Sequence, residues 1–148
     1  MKVIANNKRA TFDYDITLKI NSGLVLTGSE VKSLRINSSS IKEAYVQEKK
    51  GELWLCNCYI KRYNSSSDKL NEPIRQRKLL ISKKELNKLL GSIKKEGLSI
   101  VPISMYFNEN GLVKLNIGLG RGKKKYDKRQ SQKLKDWNKN KQRLLKNN

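Results

Sequence analysis

Histidine is absent from the 148-residue sequence, and cysteine and proline are scarce. Without histidine, the chain lacks the commonest general base, the base of a Ser-His pair and a usual zinc ligand. Its two cysteines, Cys56 and Cys58, cannot supply the about four ligands that zinc needs, and they provide no disulfide framework. Such cysteine usage is typical of a reducing compartment. The composition therefore argues against an enzyme, and we expect no cofactor and no metal.

Long apolar stretches are also missing. Hydrophobic residues make up 36% of the chain, and charges interrupt every apolar run well before the roughly 20 residues that a membrane span needs. Residues 1–9 contain no apolar core of a secretory signal. The length fits one domain with an appendage. We therefore expect a cytoplasmic protein that does not associate with membranes.

Positive charge is what the sequence has in excess. Lys and Arg total 33 against 13 Asp and Glu, a formal net charge of +20. Residues 1–120 and residues 121–148 each carry half of it, so the shorter segment has by far the higher charge density. Such a segment is expected to be disordered when free, yet Leu134, Trp137 and the Leu144-Leu145 pair form a sparse apolar stripe at helical spacing. We predict a body over residues 1–120 and a basic tail over 121–148 that becomes helical on binding.

The body has the pattern of a mainly β protein with short helices. Alternation from Phe12 to Leu18 predicts a strand that ends at 21–23, and apolar runs at 100–107 and 112–119 predict two strands joined by an Asn-Gly turn. Strand-like segments also flank 49–51 and predict a hairpin. Residues 61–73 are polar and predict a loop. This order favours a small closed or sandwich-like antiparallel barrel.

Two helices are predicted within the body. Ser29 is placed to cap a short helix over 30–35. The sequence Ser82-Lys83-Lys84-Glu85 has the spacing of a capping box, in which the serine oxygen and the glutamate carboxylate satisfy free N–H groups. Apolar residues then recur on one helical face until Gly97, which is typical of a helix end.

Two other motifs carry less chemistry than they first suggest. Cys56 and Cys58 would lie on one face of a strand, where we expect them to be core residues. The run from Gly118 to Lys125 superficially resembles a phosphate loop, but it has neither the spacing nor the Ser/Thr of one. We interpret it as a flexible glycine hinge that leads into a lysine cluster able to follow an RNA backbone.

Separate basic groups on the body predict a broad RNA-binding footprint rather than one pocket. Residues 7–9 form one group, and Arg75, Arg77 and Lys78 form another whose arginines could contact phosphates or stack on bases. Glu30 has two interpretations. An acid in the first turn of a helix stabilises the helix dipole, which is the favoured interpretation, whereas an RNA-facing carboxylate could accept hydrogen bonds from a base edge or ribose hydroxyl.

Several segments together resemble one family. They are Asn7-Lys8-Arg9-Ala10, Gly28-Ser29-Glu30-Val31-Lys32-Ser33-Leu34-Arg35, Arg77-Lys78-Leu79-Leu80, 98–106 and Gly122-Lys123-Lys124-Lys125-Tyr126-Asp127-Lys128-Arg129. In this order and spacing, with the basic tail, the chain resembles the bacterial SsrA-binding protein (small protein B) family over essentially its whole length. The resemblance implies an oligonucleotide-binding-like β-barrel with helices at its side.

The resemblance also implies a function and partners. The family binds the tRNA-like domain of transfer-messenger RNA and brings it to the vacant A site of ribosomes stalled on messages without a stop codon. Alanyl-tRNA synthetase and elongation factor Tu would be indirect partners through the RNA. The tail would become helical in the small-subunit decoding region and the empty message channel.

Site residues follow from the resemblance and from the basic groups. The expected RNA-binding residues of the body are Asn7, Lys8, Arg9, Glu30, Lys32, Arg35, Arg75, Arg77, Lys78, Lys123, Lys124 and Lys125. The expected ribosome-facing residues of the tail are Asp127, Lys128, Arg129, Trp137, Lys141 and Arg143. Two other functions remain open at this point: a structural ribosomal protein, which would share the basic barrel and extension, and an RNA-processing enzyme, which the missing histidine and metal ligands disfavour.

Overall fold

The computed structural model describes residues 1–63, 72–123 and 125–146, without the side chains of 125–128, 130–131 and 144–146. This described part of the chain contains seven strands and four helices. In order they are β1 (Lys2–Asn6), α1 (Lys8–Asp13), β2 (Tyr14–Leu24), α2 (Gly28–Ile36), β3 (Tyr45–Lys49), β4 (Glu52–Cys56), β5 (Arg77–Leu80), α3 (Lys83–Glu96), β6 (Ser99–Phe107), β7 (Val113–Gly122) and α4 (Lys125–Lys146).

All seven strands form one antiparallel sheet in the order β1-β6-β7-β2-β5-β4-β3. The two end strands of this order are β1 and β3, yet β3 also contacts β6. The sheet is therefore curled until its ends approach each other, which is a barrel-like arrangement. The predicted fold class, a mainly β antiparallel protein with short helices, is confirmed.

The core lies inside the curled sheet. Its fully buried side chains include Leu55 from β4, Met105 from β6 and Leu115 from β7, and α3 contributes Leu89 to the same cluster. Around Met105 and Leu115 the buried positions alternate with half-buried ones along the strand, because successive strand side chains point to opposite faces. Burial of this apolar surface is the main stabilising contribution to the body.

Several local predictions agree with the structure. The hairpin pairs Lys49 with Glu52, and the Asn-Gly turn joins β6 to β7 with Gly111 at φ +76°. Ser82 caps α3 by accepting a hydrogen bond from the Glu85 N–H, which is the serine half of the predicted capping box; among the described residues the Glu85 carboxylate does not return a bond to the Ser82 N–H. The same helix ends at Gly97, whose φ of +64° is left-handed. Of the predicted loop over 61–73, residues 64–71 lie outside the described residues.

The predicted first strand is wrong at both ends. Phe12 lies in α1, and β2 continues through 21–23 to Leu24. The polar residue Ser22 is accommodated inside because its hydroxyl donates to the Leu115 carbonyl at 2.8 Å, and the Cβ that Gly23 lacks would lie 3.2 Å from the Leu80 Cβ. Residues 21–23, which have the composition of a turn, thus continue the strand, because their small side chains allow β5 and β7 to pack closely.

The short helix α2 begins earlier than predicted and has a different cap. Thr27, not Ser29, accepts a hydrogen bond from the Glu30 N–H, and the Glu30 carboxylate accepts one from the Thr27 N–H at 3.0 Å. This reciprocal pair is a capping box. Glu30 is therefore tied to the start of its own helix through its carboxylate.

The glycines before the tail do not form the predicted hinge. Gly118 and Gly120 are buried within β7, where a Cβ on Gly118 would lie 2.6 Å from Ile103 Cδ1 and one on Gly120 would lie 2.7 Å from the Asp15 carbonyl oxygen. These glycines are required for close strand packing rather than for flexibility. The sheet also extends to Gly122, two residues beyond the predicted boundary of the body at 120.

Gly120→Ala is expected to destabilise the protein by about 1–3 kcal/mol, because the added methyl overlaps backbone that cannot move aside. The matched control is Gly91→Ala. Gly91 lies inside α3 with nothing within 4 Å of its missing Cβ, so this change is expected to stabilise the protein by about 0.5–1 kcal/mol. Urea unfolding of both variants measures the difference. Equal effects of the two changes would contradict the packing role of Gly120.

Candidate nucleic-acid interface

A buried ion cluster connects α2 to the segment before β5. Glu30 at the start of α2 is only 4% exposed. Its Oε1 accepts a hydrogen bond from Arg75 Nη2, and its Oε2 accepts from Arg75 Nε at 3.2 Å and from Arg77 Nε at 2.6 Å. The carboxylate is thus held by two guanidinium groups in addition to its own helix cap.

Arg77 has no exposed surface. Besides Glu30, its guanidinium donates to the carbonyl of Cys58 at 2.7 Å and to that of Pro73 at 3.1 Å. These two carbonyls belong to the chain segments on either side of 64–71, and the Ile60 N–H also donates to the Pro73 carbonyl. Arg77 therefore fastens both segments to α2, and in this conformation it presents no donor to an RNA phosphate.

The electrostatics of Glu30 are consistent with a charged carboxylate. Burial alone would raise the pKa of Glu30, but hydrogen bonds from Arg75, the Thr27 N–H and Arg77, together with the Arg77 charge, hold the pKa below its ordinary value. The favoured interpretation of Glu30 as a helix-stabilising acid agrees with these contacts. As a direct acceptor for RNA, Glu30 would have to give up partners it already has.

Around α1 the predicted residues divide into anchors and exposed cations. Asn7 is an anchor, since its Nδ2 donates to the Pro102 carbonyl at 3.0 Å and its N–H donates to the Ile103 carbonyl. Lys8 and Arg9 are exposed, and neither side chain has an ion-pair partner among the described residues. Of the first predicted basic group, these two cations can meet a phosphate without losing an internal contact.

The remaining cations of the body differ in how far they are engaged. Lys32 and Arg35 are exposed on α2, with Lys32 Nζ 5.8 Å from the ring centroid of Tyr63. Lys78 pairs with Glu52 at 3.1 Å on the surface. Arg75 is one-quarter exposed while bound to Glu30. Lys32 and Arg35 are thus the freest of this set.

Lys123 joins the body to the tail. Its N–H donates to the Asp13 carbonyl at 2.8 Å, and its Nζ donates to the Thr11 carbonyl at 3.1 Å. Lys123 therefore packs against the end of α1 as part of the body. Lys124 lies outside the described residues, and Lys125 begins α4, where only its backbone is described.

The tail residues lie on one continuous helix, α4. Asp127 and Lys128 belong to its first turns, where only the backbone is described, and the side chains of Arg129, Trp137, Lys141 and Arg143 are exposed. Lys141 Nζ stacks over the Trp137 ring at 5.2 Å from its centroid. The helical form agrees with the predicted periodicity. Disorder of the free tail stays a prediction.

Two contacts of this surface were missed by the sequence analysis. Lys135 of α4 lies 5.6 Å from the ring centroid of Phe12, which joins the tail helix to α1. Tyr63 next to Lys32 was assigned only to a polar loop, although the run Lys61-Arg62-Tyr63 combines basic and aromatic residues, a signal that favours nucleic-acid contact. Only the Tyr63 run carries a local signal, since Phe12 and Lys135 are too far apart in the sequence for a pattern to connect them.

The cysteines are core residues, although not on one strand. β4 ends at Cys56, Asn57 adopts a left-handed φ of +58°, and both thiols are free and buried. Burial raises the pKa of both thiols, so they remain protonated.

Within the described part of the chain, no three His, Cys, Asp or Glu residues are placed to hold a metal ion. None of the helices described is long and apolar enough to cross a membrane.

Comparison with known proteins gives one consistent result. The family described as SmpB protein matches residues 4–147. The chain is similar to the SsrA-binding protein of Wolbachia pipientis subsp. Culex pipiens (strain wPip), with 50% identity over 100% of this chain and 99% of the relative. It is 51% identical to the SsrA-binding protein of Ehrlichia canis (strain Jake), over the full length of both chains.

A solved structure gives the same result in three dimensions. One of its chains, described as "tmRNA-SmpB: a journey to the center of the bacterial ribosome", matches with a TM-score of 0.66 and 42% identity over 84% of this chain and 87% of that chain. Sequence and fold therefore agree over nearly the whole length. The chain belongs to the SmpB family of SsrA-binding proteins.

Proposed function

We propose that this protein is a noncatalytic RNA-binding adaptor for ribosome rescue. Its body would bind the tRNA-like domain of transfer-messenger RNA, and its tail would enter the decoding region and the empty message channel of the small subunit. The observation that supports this most strongly is the match to SsrA-binding proteins along the entire chain. Alanyl-tRNA synthetase and elongation factor Tu would be partners only through the RNA, and the protein would act in the cytoplasm.

The contacts of the body narrow the expected RNA-binding set. Cations whose side chains have no hydrogen bond or ion pair within the described part of the chain can neutralise phosphates and release counterions at little structural expense, which favours Lys8, Arg9, Lys32 and Arg35. Glu30 and Arg77 would contribute indirectly, by fixing α2 and the neighbouring segments in place. Asn7 and Lys123 would have the same positioning role for α1.

A competition titration tests the proposed RNA specificity. Labelled tRNA-like domain is challenged with excess ordinary tRNA and with a duplex of the same length, at low and at near-physiological salt. We expect discrimination to persist at the higher salt, because nonspecific phosphate binding weakens steeply with salt. If ordinary tRNA or the duplex displaces the labelled RNA as well as the unlabelled tRNA-like domain does at both salts, the adaptor is rejected and a general RNA-coating or ribosomal role is favoured.

Lys8→Ala is expected to reduce the slope of log affinity against log salt by about 1, as loss of one phosphate contact does. Lys84→Ala is the charge-matched control. Lys84 is exposed in the first turn of α3 and is not among the predicted site residues, so its replacement should leave the slope nearly unchanged. RNA-binding titrations of both variants at several salt concentrations measure the slopes. Equal slopes for the two variants would remove Lys8 from the interface.

A further inference from the structure

The tail helix α4 is tied to the body at two separate points. Just before the helix begins, Lys123 is held by two backbone carbonyls at the end of α1. Further along, Lys135 Nζ lies 5.6 Å from the centroid of the Phe12 ring, which is also part of α1. Because α4 begins at Lys125, about 15 Å of helix lie between the two points. A single anchor would let the helix pivot, whereas two anchors on one short element fix the direction in which it leaves the body.

The Phe12 ring offers a basic helix a way to dock on a basic body. α4 carries nine Lys and Arg residues against two acids, and α1 adds Lys8 and Arg9, so the two helices repel each other electrostatically. The described side chains of α4, at 129 and 132–143, form no ion pair with the body. The face of an aromatic ring attracts a cation without any acidic group. Phe12 thus supplies attraction where the charges of the two helices supply repulsion.

The same contact fixes which side of α4 faces outward. Successive residues of an α-helix are rotated by about 100° about its axis, so Leu134 lies about 100° and Trp137 about 160° away from Lys135. Leu134 and Trp137 are 62% and 59% exposed, and Lys141, which stacks on Trp137, belongs to the same side. With Lys135 on the Phe12 ring, the apolar side of the tail is therefore turned away from the body and stays available to a partner.

We propose that Phe12 is a positioning residue that docks the tail helix on α1 and aims it, with Leu134 and Trp137 facing outward. The docked helix exchanges with a disordered tail, and the contact between Phe12 and Lys135 sets the share of the docked form. The proposal rests on the proposed function, in which the body holds RNA while the tail enters the decoding region. A helix that is already aimed and rotated in this way needs less ordering to reach a site at a fixed distance from the bound RNA.

Phe12→Leu tests the ring, because leucine keeps an apolar side chain at this half-buried position but has no π-face. Nitroxide labels at Glu109→Cys, in the turn before β7, and at Asn140→Cys, on α4, report the distance between body and tail in the full chain by pulsed electron paramagnetic resonance. Both native cysteines are buried, which directs labelling to the introduced ones. We expect a narrow docked component in the labelled protein with Phe12 intact. Phe12→Leu should lower the ratio of docked to undocked tail about two- to fivefold, the size of a partly exposed cation–π contact, and Phe12→Tyr should preserve it.

The other side of the contact has a charge-matched control. Lys135→Ala should reproduce the effect of Phe12→Leu, and Lys133→Ala should leave the docked component unchanged, since Lys133 is exposed on the opposite side of α4. Added salt should increase the docked share, because it screens the repulsion between α4 and the body, whereas the contact lies well within the Debye length of about 10 Å at 0.1 M salt. A tail held by an ion pair would show the opposite dependence on salt.

In function, Phe12→Leu and Lys135→Ala should leave the affinity for the tRNA-like domain within about twofold and lower the rate of rescue about two- to fivefold, since only the docked share of the tail changes. Docking is rejected if the labelled protein with Phe12 intact shows no docked component, or if Phe12→Leu and Phe12→Tyr show equal ones. Unchanged rescue despite loss of the docked component would reject the aiming role. Failure of the proposed function is distinguishable, because the distance measurement needs neither RNA nor ribosome, whereas that failure appears as lost RNA discrimination by the unaltered protein.

Discussion

Arg77→Ala is expected to lower the free energy of unfolding by about 3–5 kcal/mol, the range for breaking a buried ion pair by removing one partner. The change leaves the buried Glu30 carboxylate with Arg75 alone among its arginines, and it deprives the carbonyls of Cys58 and Pro73 of a donor. Unsatisfied buried groups lose water without regaining a partner, which is why the effect is large. Urea unfolding followed by circular dichroism measures it.

The neighbouring residue provides the control. Lys78 is next in the sequence and also forms an ion pair, but its pair with Glu52 is on the surface, with side chains 40% and 45% exposed. Pairs of this kind contribute about 0–1 kcal/mol, so Lys78→Ala should have a small effect. If Arg77→Ala were no more destabilising than Lys78→Ala, the cluster would not hold the body together.

Acid should weaken the same cluster. Because the folded protein holds the pKa of Glu30 below its ordinary value, the stabilisation is fully present above the pKa of the unfolded chain and is lost as the pH falls through the lower folded pKa. Glu30→Gln removes the titrating group while keeping the size of the side chain. We therefore expect unfolding stability of the unaltered protein to fall more steeply below about pH 4.5 than that of the variant.

Local signals in the sequence were sufficient for local structure. The cap at Ser82, the left-handed end at Gly97 and the turn at Gly111 each depend on a few neighbouring residues, so periodicity and turn chemistry predict them well. The interpretation of Glu30 as a helix-stabilising acid succeeded for the same reason. Its partners could not be predicted, since Arg75 and Arg77 lie 45 and 47 residues further along the chain.

The errors came from contacts between distant segments. Gly118 and Gly120 have the composition of a hinge, and only the close approach of β2 and β6 shows why glycine is needed there. Residues 21–23 have the composition of a turn, and only pairing with β5 and β7 makes them a strand. Arg77 belongs to a basic run that resembles a surface patch, but tertiary packing turned its side chain inward. The net charge of a sequence indicates a binder of polyanions, but it does not indicate which Lys and Arg side chains are exposed and lack an internal hydrogen bond or ion pair.

The proposed division of roles between body and tail gives the other large expected effect. Truncation after Lys123 removes α4 while keeping every residue of β7 and both contacts of Lys123 with α1. The body should then bind the tRNA-like domain within about fivefold of the full chain at near-physiological salt, since of its expected RNA-binding residues only Lys124 and Lys125 are removed, and the rest of the tail contributes largely nonspecific charge that salt screens. Rescue of ribosomes stalled on a message without a stop codon should fall to background.

The position of the cut matters for this experiment. Truncation after residue 120 would also remove the pairing of Tyr14 with Gly122 and of Asp15 with Arg121, so a loss of binding there would report damage to the sheet.

Trp137→Ala is the companion variant: it keeps the tail's charge and removes its exposed aromatic ring. We expect it to preserve RNA affinity and to impair rescue, because a surface of lysines alone cannot replace a side chain that stacks on bases. Measured side by side, RNA affinity and transfer of the stalled peptide to the alanyl RNA separate the two roles. Loss of RNA binding on truncation after Lys123 would contradict the assignment of RNA binding to the body and of the ribosomal role to the tail.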